Sequence, residues 1–178
     1  MPDEIILGID PGSHATGYGL IRACGGRLVY LESGVIRITD AGDLPARLRR
    51  LYETLSGILQ VSRPDVCAVE DVFCAVNPRS ALLLGHARGA AILALAQADI
   101  PVFTYSPSSV KRAVVGVGRA EKSQVQHMIR LLLALPKSPP RDASDALALA
   151  VCHANNSRFH QISAMAKNIE TSQAVLRP

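Results

Sequence analysis

The first forty residues alternate short apolar runs with turns. Residues 4–9 (EIILGI) are apolar and end at Asp10 and a Pro-Gly turn, which predicts a buried strand followed by a turn. The β-rich runs at 17–23 and 27–38 are separated by Gly25-Gly26, a pair that is typical of a hairpin. This part of the chain therefore predicts three consecutive antiparallel strands.

Strand-like and helical runs alternate through the rest of the chain. Apolar runs at 66–73 and 100–105 predict a fourth and a fifth strand. The other segments have apolar residues at helical spacing, and they predict helices at 44–59, 80–98, 120–135 and 142–155, with a short helix after Ser106-Pro107.

This order of elements predicts an α/β fold. Three strands, a helix, a strand, a helix, a strand and then helices favour a mixed five-stranded sheet, with three antiparallel strands followed by two parallel ones and helices on both faces. A Rossmann fold differs, because its first strand leads directly into a helix. We expect one domain over 1–156 and, since apolar periodicity fades near its end, a mobile C-terminal tail over 157–178.

Composition narrows the class of protein. A chain of 178 residues suits one domain, and 48% hydrophobic with 19% charged residues excludes a disordered protein. The N-terminus does not resemble a secretory signal, and the longest apolar stretch, 90–96, is far shorter than the roughly 20 residues that span a bilayer. These features predict a cytoplasmic protein without a membrane segment. The net charge of +4 permits an anionic partner.

Four acidic residues stand at positions where chemistry often occurs. Asp10 and Glu70 lie near the ends of predicted apolar strands, and Asp142 and Asp145 begin the last helix, three residues apart and nearly on one face. Each alone has a structural explanation, such as capping a turn or complementing a helix dipole. Glu70 is the hardest to explain structurally, because it lies inside an otherwise apolar strand.

Together, the four acids predict a metal site. Ligands in α/β sheets gather at the carboxyl ends of strands, and carboxylates brought together there would repel unless cations neutralised them. Hard oxygen ligands suit Mg²⁺ or Mn²⁺ rather than zinc. Two such ions about 3.5–4 Å apart can activate water for phosphodiester cleavage.

The chain resembles the RuvC family of bacterial Holliday-junction resolvases, within the RNase H-like superfamily, over residues 4–153. The blocks that carry the resemblance are LGIDPGSHATGYGLI, VEDVF, NPRSALLLGHARG, VKRAVVGVGRAEKSQVQHM and DASDALALA. The resemblance implies an RNase H-like fold and a structure-selective endonuclease. Such an enzyme resolves four-way junctions in DNA recombination and repair by paired symmetric, metal-dependent nicks that leave 5′-phosphate and 3′-hydroxyl ends.

The same resemblance implies the roles of individual residues. It implies that four acids are both metal ligands and catalytic residues: Asp10, Glu70, Asp142 and Asp145. The implied metal is Mg²⁺, with two ions per subunit, and Mn²⁺ can replace it. Some relatives have His at the position of Asp142. Lys122 is implied as a further catalytic residue that stabilises charge at the scissile phosphate. No organic cofactor is expected.

A basic segment accompanies the acids. Residues 104–137 carry six Lys or Arg against Glu121 alone, which a solvated helix face would also explain. The resemblance marks Lys111 and Lys122 as DNA-binding residues, with Arg79 and Arg119 as further candidates. It also implies that Phe73 stacks on an unpaired junction base, although most aromatics near a strand are core residues.

Partners and alternatives complete the expectations. The helix with Gly85 and Gly89 is apolar on more than one face, which favours a homodimer whose two sites match the two strands of a junction. By family resemblance, the branch-migration motor proteins RuvA and RuvB are partners. One alternative is an actin-like or sugar-kinase-like ATPase, but those enzymes need a second domain. The other is a non-catalytic junction-binding module, which would leave the acids unexplained. His86 and His127 are not expected to bind metal.

Overall fold

The computed structural model describes residues 3–71 and 78–157, in which five strands and five helices are present. The strands are β1 Glu4–Asp10, β2 Ala15–Cys24, β3 Arg27–Arg37, β4 Val66–Glu70 and β5 Val102–Tyr105. The helices are α1 Leu44–Ser62, α2 Pro78–Gln97, α3 Pro107–Val115, α4 Lys122–Leu132 and α5, which is helical over 141–157. Except for Ser157, the predicted tail lies outside the described residues.

The strands form one mixed sheet in the order β3-β2-β1-β4-β5. β2 is antiparallel to both β1 and β3, whereas β4 is parallel to both β1 and β5. The prediction of three antiparallel strands followed by two parallel ones is therefore confirmed. The β1–β4 register pairs Ile9 with Val69, so the residues that follow them, Asp10 and Glu70, are neighbours at one edge of the sheet.

Alternation along the strands divides the core between the two faces of the sheet. On one face, Leu7 and Ile9 of β1 pack with the leucines of α1 and the alanines of α2. On the other face, Ile6 of β1 and Ala68 of β4 pack with α3, α4 and α5. Helices therefore cover both faces, as predicted. Because Ile6, Asp10 and Glu70 have the same parity in register, both acids belong to the α5 face.

The ends of several helices and strands differ from those predicted from the sequence. α1 continues to Ser62, because the left-handed Arg63 (φ 43°) ends it and donates its N–H to the Leu59 carbonyl. β4 spans Val66–Glu70, the Asp71 N–H after it still donates to the Tyr105 carbonyl at 2.9 Å, and residues 72 and 73 of the predicted run lie outside the described residues. α4 is shorter than predicted, since Glu121 is its N-cap and the chain turns at Leu133.

Helix α5 lies directly on the backbone of β1 and β2. A β-carbon at Gly8 would overlap the carbonyl oxygen of Ala146, and one at Gly17 would overlap that of Asp142. At Gly19 it would lie 2.6 Å from Leu147 Cγ. Glycine at these positions therefore lets the helix approach the sheet at main-chain distance. This contact sets the height of the α5 N-terminus above the end of β1.

None of the helices described over 3–71 and 78–157 combines the length and apolar character needed to cross a membrane.

Replacing Gly8 with Ala should destabilise the chain by about 2 kcal/mol or more, because the clash is with backbone and cannot be relieved by a rotamer change. Urea unfolding followed by circular dichroism measures this loss. Gly57→Ala is the matched control: nothing lies within 4 Å of a β-carbon there, and the helix α1 position should gain up to about 1 kcal/mol. Equal stability of the two variants would contradict the close packing of α5.

Candidate active site

Two acids meet where parallel strands end. Asp10 is the last residue of β1, and Glu70 is the last residue of β4. The two strands are adjacent and parallel, and both acids face α5. A carboxylate pair at the carboxyl edge of a sheet is the arrangement that the strand-end pattern in the sequence predicts.

The third acid comes from α5. Asp145 lies one turn into the helix and lines a cleft of about 240 Å³ together with Asp10 and Glu70. Asp142, half-buried in the first turn, is outside the cleft lining, although its charge acts on Asp10. The structure therefore brings three of the four predicted acids to one cleft and holds the fourth beside it.

The cleft also contains both predicted lysines. Lys122, the first residue of α4, and Lys111 of α3 line it together with the acids. Lys122 Nζ lies 3.2 Å from Asp145 Oδ2 and forms an ion pair with it. The remaining wall is largely apolar and consists of Pro107, Val110, Val125, Ala148 and Leu149.

Burial and mutual repulsion raise the pKa values of two of the acids. The pKa of Asp10 rises to about 7, first because the carboxyl is buried and then because Glu70 and Asp145 are close to it. Burial also raises the pKa of Glu70, with a further contribution from the charge of Asp145. In both cases Lys122 opposes the rise. The site thus holds more negative charge than its own lysines compensate.

The donor atoms in the cleft fit a hard divalent cation. Carboxylate oxygens are the ligands that Mg²⁺ and Mn²⁺ prefer, and no Cys or His side chain of the described residues lines this cleft. Over the described ranges, however, no three acidic, His or Cys side chains already form a metal-holding cluster. Asp145 pairs with Lys122 at 3.2 Å. The residues fit the ion chemically, and binding would require them to converge.

The backbone around Glu70 is fixed from two sides. Its carbonyl accepts a hydrogen bond from Arg88 Nε of α2 at 3.3 Å, and the following N–H, that of Asp71, is bound to β5. Tyr105 Oη and His153 Nδ1 lie 2.8 Å apart and tie β5 to α5. Sequence reasoning missed Arg88 and this pair, because nothing in the local pattern separates them from ordinary helix and strand residues.

Of the other predicted DNA-binding residues, two lie away from the cleft and one lies outside the described residues. Arg79 is exposed in the first turn of α2, and Arg119 is exposed between α3 and α4; neither lines the cleft. Phe73 lies outside the described residues. The glycines under α5 were also missed, although Gly17 and Gly19, two residues apart in a strand, are a signal for close backbone approach.

Comparison with known proteins gives a consistent match. The family model for crossover junction endodeoxyribonuclease RuvC matches residues 6–153. A protein of that description from Actinobacillus succinogenes is 53% identical over 170 residues, which cover 95% of this chain and 89% of the relative. Another, from Cronobacter sakazakii, is 56% identical over 155 residues, 87% of this chain and 89% of the relative.

Solved structures agree with the sequence comparison. The chain is similar to Thermus thermophilus RuvC, with a TM-score of 0.80 at 32% identity, over 88% of this chain and 96% of that one. The same protein in complex with a Holliday junction substrate gives a TM-score of 0.84 at 33% identity, with the same coverage. The fold therefore matches an RNase H-like nuclease, as the resemblance predicted.

Asp10→Asn should raise the melting temperature of the metal-free chain, by more at pH 8 than at pH 5. The folded chain has a pKa of about 7 at Asp10 against an ordinary 3.8, so ionising this carboxyl removes stability as the pH rises towards 7, and Asn avoids that loss. Differential scanning fluorimetry in EDTA at both pH values measures the effect. Asp99→Asn, on an exposed left-handed residue that Asn tolerates, should show no such pH dependence. An equal gain at both pH values would contradict the raised pKa.

Proposed function

The chain belongs to the RuvC family of crossover junction endodeoxyribonucleases, and on that premise we propose that it resolves four-way DNA junctions by paired symmetric, metal-dependent nicks. Membership of this family makes it a nuclease rather than an ATPase or a non-catalytic binding module. The observation that supports the proposed chemistry is the cleft itself, where three carboxylates and two lysines meet. The similar Thermus protein has been solved with a Holliday junction substrate bound, which supports the choice of substrate.

The acids are proposed to hold the metal. Asp10, Glu70 and Asp145 would supply carboxylate oxygens from the cleft, and Asp142, whose charge acts on Asp10, is proposed to add a fourth. Mg²⁺, or Mn²⁺ in its place, at two ions per subunit, would activate the attacking water and stabilise the leaving 3′-oxygen. Breaking the bond between the phosphorus and that 3′-oxygen yields the 5′-phosphate and 3′-hydroxyl ends that we propose as products.

Lys122 is proposed to exchange its ion pair with Asp145 for one with a DNA phosphate. Its ion pair with Asp145 is exposed on the lysine side, so a DNA phosphate can reach the ammonium group from solvent. If Lys122 turned to the phosphate, the Asp145 carboxylate would be free to act as a metal ligand. The lysine then offsets charge that develops at the scissile phosphate. Lys111, on the neighbouring wall, is proposed to bind the same backbone.

Residues outside the cleft are proposed to bind the rest of the junction. Arg79 and Arg119 would contact phosphates, because both side chains reach the surface. Phe73 is proposed to stack on an unpaired base beyond the end of β4. These assignments rest on the family resemblance of the surrounding sequence and on the short distance along the chain from Glu70 to Phe73.

Helix α2 is proposed to form the interface of a homodimer. Leu82 and Leu93 are 65% and 52% exposed, and nothing in the described part of the chain lies within 4 Å of a β-carbon at Gly85 or Gly89. These residues recur at helical spacing, so they form one outward stripe that a second copy could cover. A twofold dimer presents two active sites to the two strands of a junction. We propose that the dimer works in the cytoplasm beside RuvA and RuvB.

The wild-type chain should cut a labelled synthetic four-way junction at two symmetric positions in Mg²⁺ and leave a linear duplex intact. Asp10→Asn should lose nicking by a factor of about 10² or more while still binding the junction, because one ligand oxygen and its charge are removed. Denaturing gels measure the nicks, and sealing by DNA ligase without prior phosphorylation tests the ends. Asp99→Asn should cut normally. Binding without nicks in both Mg²⁺ and Mn²⁺ would overturn the proposed function.

Leu93→Glu should convert the dimer into a monomer, because a charge in the centre of an apolar interface would be desolvated without a partner. Light scattering coupled to size exclusion gives the mass directly. Val61→Glu is the matched control, since Val61 on α1 is 87% exposed and on a different helix, and it should leave the mass unchanged. A Leu93→Glu protein that remains dimeric would place the interface elsewhere.

A further inference from the structure

A second cavity lies beside the catalytic cleft, between the first turns of α4 and α5. Its volume is about 320 Å³, and its lining residues are Lys122, Ser123, Gln126, Arg141, Ser144 and Asp145. Lys122 and Asp145 line both the cavity and the cleft. The ion pair between these two side chains therefore forms the partition between the cavity and the cleft.

The first turn of α5 borders this cavity through Arg141 and Ser144. The Ser144 N–H donates to the Pro140 carbonyl at 2.8 Å, so the N–H groups of residues 141–143 precede the first helical hydrogen bond. No side chain in the described part of the chain caps them, and proline offers no capping oxygen. The N-terminus of a helix of at least 17 residues thus faces the cavity with the positive end of its dipole.

A buried hydroxyl gives an independent indication of a ligand. Ser144 is one of the residues that line the cavity, it is only 1% exposed, and its Oγ has no hydrogen-bond partner within 3–71 and 78–157. Buried hydroxyl groups are almost always paired, because an unpaired one retains its full desolvation penalty. An acceptor oxygen placed in the cavity would pair it.

The charges around the cavity select an anion. Lys122 and Arg141 contribute two positive charges against the single negative charge of Asp145. Gln126 Nε2 donates to the Pro139 carbonyl at 2.8 Å and holds the turn that leads into α5. A tetrahedral anion could therefore accept from Ser144 Oγ and the helix amides while it neutralises Arg141.

We propose that this cavity binds a backbone phosphate of the DNA strand next to the phosphate that is cleaved. The inference rests on the proposed function, because only a strand lying in the catalytic cleft would bring a neighbouring phosphate across the Lys122–Asp145 partition. Consecutive phosphates are neighbours along one strand, which suits two cavities that share Lys122 and Asp145. Binding there fixes the register of the strand, and Lys122 lies between the two phosphates.

A neutral-linkage scan tests the proposal. One phosphate at a time, at three positions on each side of the mapped cut, is replaced by a methylphosphonate, and junction affinity is measured by fluorescence anisotropy in EDTA. At one position the neutral linkage should weaken wild-type binding about tenfold, because it removes hydrogen bonds to a charged acceptor. The same replacement should then have less than about a twofold effect on Ser144→Ala and on Arg141→Gln.

Salt dependence and stability give further readouts. Arg141→Gln should reduce the slope of log K against log salt by about 0.9, whereas Ser144→Ala should leave the slope unchanged. Ser144→Ala should keep or raise the wild-type melting temperature, since it removes a buried hydroxyl that has no partner in the described part of the chain. Arg49→Gln, an equal charge change on exposed α1 across the sheet, is the control and should retain the methylphosphonate effect.

Several results would overturn the inference. If no linkage position couples to both variants, the cavity does not bind a backbone phosphate. Inorganic phosphate that raises the melting temperature of wild type but not of Ser144→Ala, without any coupled linkage, would make the cavity a site for free phosphate only. If wild type nicks the junction in Mg²⁺ and the scan shows no coupling, this inference fails alone. If wild type does not nick, the proposed function fails as well.

Discussion

The close contact of α5 with the backbone of β1 and β2 is the constraint on which the active site depends. Two acids come from strands and two from the helix, so their separation is set by how near the helix lies to the sheet. At Gly8 and Gly17 that distance admits no side chain at all. The catalytic geometry is therefore held by main-chain packing, which is stiffer than any contact between flexible side chains.

That packing concentrates negative charge in a partly buried place. The raised pKa values of Asp10 and Glu70 show that the fold holds these carboxyls where their ionised forms are disfavoured. Lys122 offsets some of this cost through Asp145. Holding these ionised carboxyls together therefore costs stability, and a divalent cation bound by them, as proposed above, would restore it. In that case ion binding and folding would be linked through the same side chains.

Much of the architecture could be predicted from the sequence, because its signals are local. The Gly25-Gly26 hairpin, the leucine spacing of α1 and the apolar runs of β1 and β4 each identified an element, and strand ends indicated where Asp10 and Glu70 would meet. The helix contact was missed, because it depends on the missing side chain of Gly8 and on residues more than a hundred positions away. The place of Asp142 outside the cleft, the Lys122–Asp145 pair and the unpaired Ser144 hydroxyl depend on helix rotation, which periodicity does not fix closely enough.

The alternation along β1 and β4 separates two tasks. Even-numbered positions in both strands face the acids and α5, and odd-numbered positions face α1 and α2, the helix proposed to meet a second copy. The backbone layer between them is common to both faces, but their side chains belong to different cores. For protein engineering, the even-numbered and odd-numbered positions of β1 and β4 are then two sets of residues that can be substituted nearly independently. One set lies beside the acids and the other beside the proposed dimer helix, and a designer can vary either while holding the other fixed.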